Sequence, residues 1–473
     1  MTTASPVATS PQSLFRSLDE EATPRALEVE GQVPGWLGGT LVRVTPAMLE
    51  PGGDPVRHFF DGLAMLNAFT LAPGGGVSYA SRFLQSQAYR NVLEHGETRQ
   101  ATFGSDPCRS IFRRVTSMFT QELTDNCNVN VTRLGERWVA LTETPVAIEF
   151  DPETLDSGER VTWAGKREHA TAHPERDFRR HETVGYGVHF ARRSAYRLLA
   201  TPDGAEAPVE TARVPVREPA YMHSFAMTDR YAVLIDQPLV VNPLRLAFGG
   251  KSFIENYEWK PERGTRFLVI DRERGTLHAT VEAEAMFCFH TVNMFEDAGE
   301  LVLDLSAYDD PRIIRELHLA ELRDGHYPSA TGELRRYRLP LAGGSARRED
   351  LGGHRLELPR INYRANGGRP YRYVYGASQA QADFLDSLIK VDVSDGTAVT
   401  WREDGCYPGE PVFVASGGPA EDDGVLLSVV LDAAADASFL LVLDARDLTE
   451  LARARAPHAI PFGFHGDFAR EPA

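Results

Sequence analysis

Short apolar runs separated by turn sequences recur along most of this 473-residue chain. Runs of four to eight residues rich in β-branched and aromatic side chains are typical of strands, and Asp-Gly, Gly-Gly and Pro-Gly pairs between them are typical of turns. The runs do not alternate with helices, so the pattern predicts a closed all-β architecture such as a propeller. The clearest runs are residues 40–45, 77–83, 138–143, 184–188, 266–271, 301–305, 371–375, 388–392, 424–431 and 438–444.

Helical patterns are rare by comparison. Residues 106–119 and 311–323 have the spacing of amphipathic helices, and the turns at 269–275 and 391–396 indicate hairpins. The small and polar residues 1–12 predict a disordered tail, which leaves residues 13–473 as a single β-propeller domain. We find no strong repeat of propeller type, so the prediction depends on strand density.

Charge and cysteine usage exclude several classes of function. The formal net charge of −17 argues against a nucleic-acid partner, which would need a basic face. The first residues lack the basic and apolar segments of a signal peptide, and no apolar run reaches the length of a transmembrane helix. The four cysteines form no CxxC pair, so we expect reduced thiols in a cytoplasmic protein.

Four of the fourteen histidines lie in apolar or aromatic contexts beside strand-like runs. A buried imidazole needs a polar partner, and four of them can share one metal ion. The intervals between the four are 50, 67 and 175 residues, which correspond to one, one and about three blades. A radial architecture could therefore bring all four to its axis. They are His173, His223, His290 and His465.

Any single histidine is more often an ordinary residue than a metal ligand. We expect four others, in polar contexts, to face solvent: His95, His278, His318 and His354. Imidazole is a ligand for zinc, copper, iron and nickel. Zinc on four histidines would be a closed structural site, whereas iron could keep open positions for O₂. A metal-free propeller that serves as an interaction scaffold is a further alternative.

Three acidic residues interrupt apolar or strand-like segments: Glu143, Glu357 and Glu410. Carboxylates that accept hydrogen bonds from metal-bound imidazoles orient the rings and supply negative charge. We interpret the three glutamates as such partners. The alternative is a solvent-facing position on each strand.

Short motifs follow one another in order through most of the chain. They are residues 57–62 (Arg-His-Phe-Phe-Asp-Gly), 119–131, 151–155, 170–174, 221–225, 358–363, 421–425 and 463–466. Each motif alone is weak evidence. Together and in this order they resemble the carotenoid cleavage oxygenase family, and within it the branch of β-carotene oxygenases and the retinal pigment epithelium isomerase.

The resemblance implies a seven-bladed β-propeller with a helical and loop cap over the metal-bearing face. It implies one Fe²⁺ per chain on the four histidines, with Glu143, Glu357 and Glu410 paired with His223, His290 and His465 in that order. Beyond the iron centre it implies no catalytic residue. The implied reaction is cleavage of a carotenoid or apocarotenoid C=C bond by O₂ to give aldehydes, with retinal from central cleavage of β-carotene as the specific expectation.

A polyene substrate partitions into membranes, so an enzyme that takes it needs an apolar opening. The predicted helix 106–119 combines apolar residues with arginines, as an interfacial helix does. Residues 244–254 form a second candidate. In both places a buried cap helix is the alternative to substrate access and peripheral membrane contact. The candidate access residues are Ile111, Phe112, Val115, Phe119, Leu246 and Phe248.

Two other activities occur in the same superfamily. Stilbene-cleaving members place a lysine just before the glutamate that Glu143 matches, and this chain has Thr142 there. A retinyl-ester isomerohydrolase belongs to a visual cycle, which nothing in the sequence indicates. The sequence does not show which double bond is cut, or the oligomeric state.

Overall fold

Strands dominate the structure and form a ring of sheets. The computed structural model describes residues 10–97, 100, 102–104, 124–164, 168–248, 251–381 and 384–470. Within these residues, seven mainly antiparallel sheets of four to six strands form the blades of a propeller. The predicted seven-bladed β-propeller is confirmed.

The blades follow the chain in order, apart from the two that contain its ends. Blade 1 contains Ala22–Ala26, Gly39–Met48, Leu63–Leu71, Val77–Phe83 and Gly466–Arg470. Blade 2 contains Asn130–Leu134, Arg137–Leu141, Val146–Phe150 and Ser157–Thr162. Blade 3 contains Glu168–Ala170, Glu175–Asp177, Glu182–His189, Ser194–Pro202 and Val209–Val216. Blade 4 contains Ala226–Met227, Tyr231–Asp236, Thr265–Asp271, Thr276–Ala283 and Gly344–Ser345.

The remaining blades complete the ring. Blade 5 contains Phe287–Asp297, Glu300–Tyr308, Glu333–Pro340 and Arg347–Glu349. Blade 6 contains Glu357–Arg360, Tyr373–Ser378, Ser387–Asp392 and Ala398–Trp401. Blade 7 contains Val29–Gly31, Cys406–Pro408, Val412–Ala415, Gly424–Asp432, Ala437–Asp444 and Glu450–Arg455. A small hairpin of Leu239–Val241 and Tyr257–Trp259 lies outside the blades.

Each blade is buried between its neighbours, and this explains the sequence pattern. Val77–Phe83 alternates between buried and half-buried residues, whereas nine of the ten residues of Gly39–Met48 are buried. Strands buried on both faces have nearly continuous apolar sequences. Between blades 4 and 5, Val233 and Leu303 belong to one buried cluster. Since burial of one such side chain contributes about 1.5–3 kcal/mol, these clusters stabilise the ring.

Both ends of the chain close the ring. Gly466–Arg470 pairs with Gly39–Met48 in blade 1, with Arg43 opposite Gly466. The strand Val29–Gly31 pairs with Glu450–Arg455 in blade 7. Because strands from near both ends of the chain pair within blades 1 and 7, contacts between residues more than 400 apart in sequence hold the ring shut.

Short helices and loops lie outside the blades, and Phe59–Asp61 and Arg312–Glu316 contribute residues to the apolar cavity beside the histidines. In the described part of the chain, the α-helices are Gln87–His95, Pro243–Phe248, Arg312–Glu316, Leu319–Arg323 and Tyr363–Asn366. The 3₁₀ helices are Pro11–Phe15, Pro51–Gly53, Phe59–Asp61, Ile254–Asn256 and Pro261–Arg263. The predicted helix 106–119 lies outside the described residues.

The structure confirms the predicted hairpins but differs from the sequence predictions at one helix and at the start of the chain. The hairpins at 269–275 and 391–396 are confirmed. The single helix predicted over 311–323 is wrong, because His318 is extended and bridges to His58, which splits the segment into two short helices. The predicted tail ends too late, since Pro11 is buried in a 3₁₀ helix.

His58 is fully buried beneath the split helix. Its Nε2–H donates to the carbonyl of Ile314 at 2.7 Å, and its Nδ1 accepts from the backbone N–H of Phe60 at 3.1 Å. Burial lowers the pKa of His58 from 6.5 to about 3. The unfolded chain therefore binds a proton between these pH values that the folded chain does not, and stability is lost as the pH falls below 6.5.

We expect His58→Asn to flatten this acid dependence. From the pKa shift, His58 alone destabilises the fold by about 2 kcal/mol between pH 8 and pH 5. The variant should be less stable at pH 8, because it loses the bond to Ile314, yet its loss from pH 8 to pH 5 should be smaller by that amount. Urea unfolding of both proteins at the two pH values measures this difference. An unchanged difference would show that His58 titrates normally.

Candidate metal centre

The four predicted histidines meet on the propeller axis. His173 lies between two short strands of blade 3, His223 precedes the first strand of blade 4, His290 lies in the first strand of blade 5, and His465 precedes the closing strand of blade 1. One nitrogen of each ring lies within 4.8 Å of the corresponding nitrogen of the others. The sequence intervals of one, one and three blades thus match the observed architecture.

The ring nitrogens that face one another are Nε2 atoms. The Nε2 atoms of His173 and His223 are 2.9 Å apart, and those of His290 and His465 are 3.1 Å apart. His223, His290 and His465 are buried, and His173 is half-buried. Nε2 atoms that are buried this close together need a shared partner or a hydrogen bond between them, because burying a polar atom without a partner is costly.

Glutamates bind the opposite side of three rings. The Nδ1–H of His223 donates to Glu143 at 2.6 Å. His290 donates in the same way to Glu357 at 2.6 Å, and His465 donates to Glu410 at 2.7 Å. These are the three pairs that the family resemblance implied.

These hydrogen bonds decide what the centre can hold. A neutral ring that donates through Nδ1 carries a lone pair on Nε2. The lone pairs of His290 and His465 therefore face each other across 3.1 Å, where no hydrogen bond can join them. A cation between the rings removes the repulsion. Four imidazole nitrogens fit iron, zinc, copper or nickel, so the residues present fit the Fe²⁺ that the resemblance implies.

The electrostatics favour the neutral form of three of the rings and the ionised form of the three glutamates. Burial lowers the pKa of His223, and burial together with the neighbouring imidazoles lowers that of His173 far below its usual value. Burial likewise lowers the pKa of His465 to about 3. Burial raises the pKa of Glu410, but Arg360 and His465 outweigh it, so the pKa lies below its ordinary value. Neutral imidazoles and ionised carboxylates are what metal binding requires.

Each glutamate has further partners that fix it. The hydroxyl of Tyr221 donates to Glu143 at 2.9 Å, and that of Ser306 donates to Glu357 at 2.9 Å. Leu358 has a φ of 51°, in the left-handed region, where a non-glycine side chain is strained. This turn lets the N–H of Leu358 donate to Glu357 at 3.1 Å.

An apolar cavity opens on one side of the histidines. Its empty space, part of which is open to solvent, amounts to about 1230 Å³, and His223, His290 and His465 form part of its wall. Its lining is rich in aromatic residues, which a long apolar ligand would contact. The aromatic residues are Phe59, Phe60, Phe103, Tyr221, Phe289, Tyr308, Phe384, Phe462 and Phe464.

A polar cavity lies against the same centre. His173, His290 and His465 reach it, together with Glu410 and Arg360. The centre thus contacts an apolar space and a polar one. An apolar molecule fits the aromatic cavity beside the histidines, and water and charged groups fit the polar cavity.

The candidate access residues and the cysteines lie partly outside the described residues. Ile111, Phe112, Val115 and Phe119 lie outside the described residues, as does Cys108. Leu246 is half-buried against an aromatic cluster, and Phe248 ends the helix Pro243–Phe248. Among the described residues, Cys127, Cys288 and Cys406 are free and buried.

The four histidines expected to face solvent divide into two groups. His95 and His278 are exposed, but His318 and His354 are half-buried. The expectation is wrong for the latter pair. His354 donates from Nε2 to the carbonyl of Gly396 at 2.8 Å, and His318 packs against His58. Polar sequence neighbours did not reveal these tertiary contacts.

The sequence analysis missed two arginines, of which Arg43 is buried and Arg360 is half-buried. Arg43 and Arg360 flank Glu410, and Arg43 is 2% exposed. Both lie in strand segments, where an arginine is ordinarily expected to face solvent. Arg360 belongs to the motif 358–363, which was the available signal.

A propeller with four axial histidines and three carboxylate partners defines a class of metalloprotein, and the comparisons identify its family. The sequence matches the family described as retinal pigment epithelial membrane protein over residues 15–470. This chain belongs to that family, which is iron-dependent in general.

The relatives include enzymes of named activity. The mitochondrial carotenoid-cleaving dioxygenase of Mustela putorius furo is 36% identical over 95% of this chain and 94% of that protein. Human beta,beta-carotene 15,15'-dioxygenase is 31% identical over 96% and 93%. The solved structure of cobalt-substituted Synechocystis ACO has a TM-score of 0.85 and 27% identity, covering 97% of this chain and 98% of that one.

We expect Glu410→Gln to weaken metal binding or turnover by roughly 10- to 100-fold, the usual effect of losing a hydrogen-bond partner of a metal-bound histidine. Glutamine keeps the shape of the side chain but removes the negative charge of the carboxylate, which accepts a hydrogen bond from the Nδ1–H of His465. Metal content and initial rates measure the effect. The control His95→Ala changes an exposed histidine and should match the wild type. Equal effects in both variants would contradict the assignment of Glu410.

Proposed function

We propose that this protein is an Fe²⁺-dependent dioxygenase that cleaves a C=C bond of a carotenoid or apocarotenoid to give two carbonyl products. The observation that carries the proposal is the aromatic cavity whose wall includes three of the four axial histidines. An apolar molecule in this cavity lies beside the metal centre. The family membership and the names of the relatives support the same reaction class.

The proposed reaction balances without a further cofactor. One alkene and one O₂ give two carbonyl groups, so no external reductant or nucleotide is consumed. One Fe²⁺ per chain on His173, His223, His290 and His465 supplies the O₂-activating chemistry when bound. Glu143, Glu357 and Glu410 orient three of the rings through Nδ1.

The protein's own contribution is positioning and exclusion of water. Holding a reactant in the right geometry can account for a large part of a barrier reduction. Phe289, Phe464 and Tyr221 line the cavity next to the histidines, and their rings restrict where a rigid polyene can lie. The choice of the double bond follows from this restriction.

We propose retinal as a product, from β-carotene or from an apocarotenal that shares one ring. The β-carotene 15,15'-dioxygenase relative favours this substrate. Thr142 lines the cavity and has no ammonium group for a phenol, which disfavours a hydroxystilbene.

The test is incubation with a panel of carotenoids, apocarotenals, hydroxystilbenes and retinyl esters, with products identified by mass. Aldehydes from a carotenoid or apocarotenal are the expected result. A long apocarotenal with a shorter ketone would mean eccentric cleavage by the same chemistry. Products only from stilbenes, or retinol from retinyl esters, would overturn the substrate class. No product from any compound, with no bound iron, would favour a scaffold.

We also propose that the protein is cytoplasmic and makes peripheral contact with a membrane. Among the helices that the structure describes, none is long and apolar enough to cross a membrane. Leu244, on the helix Pro243–Phe248, is 60% exposed, and Leu246 packs against the buried cluster that contains Tyr221 and Phe287. This arrangement leaves an apolar residue at the surface close to the aromatic cluster.

We expect Leu244→Asp to reduce binding to liposomes and to slow cleavage of a carotenoid presented in them. A carboxylate at this position opposes insertion into the interface. Activity on substrate in detergent should change little, which separates a membrane effect from a folding effect. Val399→Asp, at another exposed apolar residue, is the matched control. If both variants bind liposomes as the wild type does, this face does not contact the membrane.

A further inference from the structure

We propose that Arg360 and Arg43 are positioning residues for the His465 ligand, and that they act through Glu410 and through the backbone on both sides of His465. The inference rests on the proposed function only in assuming that the four histidines bind a metal. The proposed network of contacts joins the metal centre to the strands that close the propeller ring.

The segment that carries His465 depends on the arginines for its position. Residues 463–466 are the last before the closing strand of blade 1. Arg43 donates to the carbonyl of Gly463 at 3.3 Å and to that of Phe464 at 3.1 Å. Arg360 donates to the carbonyl of Gly466. Carbonyls on both sides of His465 are therefore held by guanidinium groups.

The same arginines hold the carboxylate that orients the ring. The Nε of Arg360 donates to Glu410 Oε1 at 2.9 Å, the oxygen that also accepts from His465. Arg43 Nη1 lies 3.6 Å from Glu410 Oε2 and donates to the backbone carbonyl of Glu410 at 3.0 Å. Glu410 is 1% exposed. A charge buried so deeply needs paired cations and hydrogen bonds.

Gly466 and Arg43 pack closely against each other, which restricts the position of both. A Cβ added to Gly466 would lie 2.6 Å from Cγ of Arg43. The glycine thus lets the closing strand approach the arginine. The backbone N–H of Gly466 also donates to Glu410 Oε2 at 2.9 Å. Glu410 therefore bonds to the ligand His465 and to its next residue.

The other two histidine–glutamate pairs are built differently. In the described part of the chain, Glu143 accepts from the hydroxyl of Tyr221 and Glu357 accepts from that of Ser306. No arginine is paired with either of them within those residues. His465 is thus the ligand whose partner is held by guanidinium groups.

The network also spans the site of ring closure. Arg360 lies in blade 6, Glu410 in blade 7 and Arg43 in blade 1, and His465 precedes the strand that closes blade 1. Metal binding therefore fixes the same segment that ring closure fixes. Metal binding should stabilise the closed ring, and loss of the arginines should weaken this coupling.

The test uses the full-length protein, prepared without metal, and Co²⁺ alone as the probe. Arg360→Met keeps an apolar stem but removes the guanidinium. We expect a 10- to 100-fold weaker affinity for Co²⁺ and a smaller metal-induced rise in melting temperature. Arg360→Lys restores a charge and should recover part of the affinity.

Two comparisons make the role of Arg360 specific. Arg336→Met removes another half-buried arginine, which is paired with Asp304 in blade 5. It should lower the melting temperature yet leave Co²⁺ affinity within about twofold of wild type, since distant sites act independently. The double variant Arg360→Met/Glu410→Gln should lose less Co²⁺ affinity than the two single losses together would give, because Arg360 and Glu410 hold the same ligand.

The outcomes separate two failures. If the wild type binds no Co²⁺, the metal assignment itself fails, and with it the proposed function. If the wild type binds Co²⁺ and Arg360→Met binds it equally well, the positioning role is wrong. A loss in Arg336→Met as large as that in Arg360→Met, or additive losses in the double variant, would also overturn it.

Discussion

Replacing His223 with alanine is expected to abolish iron binding and polyene cleavage together. The substitution removes one of the four nitrogens on the axis, 2.9 Å from Nε2 of His173. It also leaves the buried carboxylate of Glu143 without the donor at 2.6 Å. A buried carboxylate that loses its partner opposes the native arrangement. Metal content and cleavage rate, measured on the same preparation, test the expectation.

Two controls distinguish loss of the metal from loss of the fold. His278→Ala changes an exposed histidine and should retain both metal and activity. Circular dichroism of His223→Ala should show an intact β-rich fold, because blade packing does not involve this ring. Full activity of the folded variant in an iron-free preparation would refute the metal centre.

Ala330→Trp is expected to block the apolar cavity and lower cleavage by about 100-fold, the scale on which misplacement of a substrate acts. Ala330 lines the cavity and is half-buried in the loop before Glu333–Pro340. An indole at this position fills space that the polyene needs, whereas the four histidines keep their contacts. Iron content should therefore equal that of the wild type. Initial rates with one carotenoid and metal analysis measure the two quantities.

Ala420→Trp provides the matched control for bulk. Ala420 is exposed in a surface loop of blade 7, so the same substitution there should leave the rate unchanged. A wild-type rate in Ala330→Trp would show that the substrate does not occupy this cavity. Loss of iron in that variant would show that the loop supports the centre.

The sequence predicted the residues of the centre because their local contexts are unusual. His223 and His290 stand among aromatic residues at strand edges, where solvent-facing histidines are not expected. The blade-sized intervals between the histidines agreed with the propeller that strand density had predicted. The structure places these histidines on adjacent blades, so residue spacing carried information on architecture.

Contacts made by ring closure could not be predicted in the same way. Arg43 lies in a strand whose sequence resembles many half-exposed strands. It is buried because Gly466–Arg470 returns from the far end of the chain to pair with Gly39–Met48. Nothing near Arg43 in sequence records that pairing.

Local strain and broken helices were missed for a related reason. The periodicity of 311–323 is helical, but the bridge between His318 and His58 interrupts it. Glu357 and Arg360 lie on one short strand with a register shift between them. In a regular strand residues three apart face opposite sides, and the irregular register allows both to reach the axis.

The most direct test of the central claim is the origin of the product oxygens. The purified protein, loaded with iron, should be incubated with a carotenoid under ¹⁸O₂ in ordinary water, with products trapped at early times before carbonyl exchange. The account predicts one ¹⁸O in each of the two carbonyl products. One product labelled from O₂ and the other from water, in a trap shown to prevent exchange, would contradict a dioxygenase mechanism.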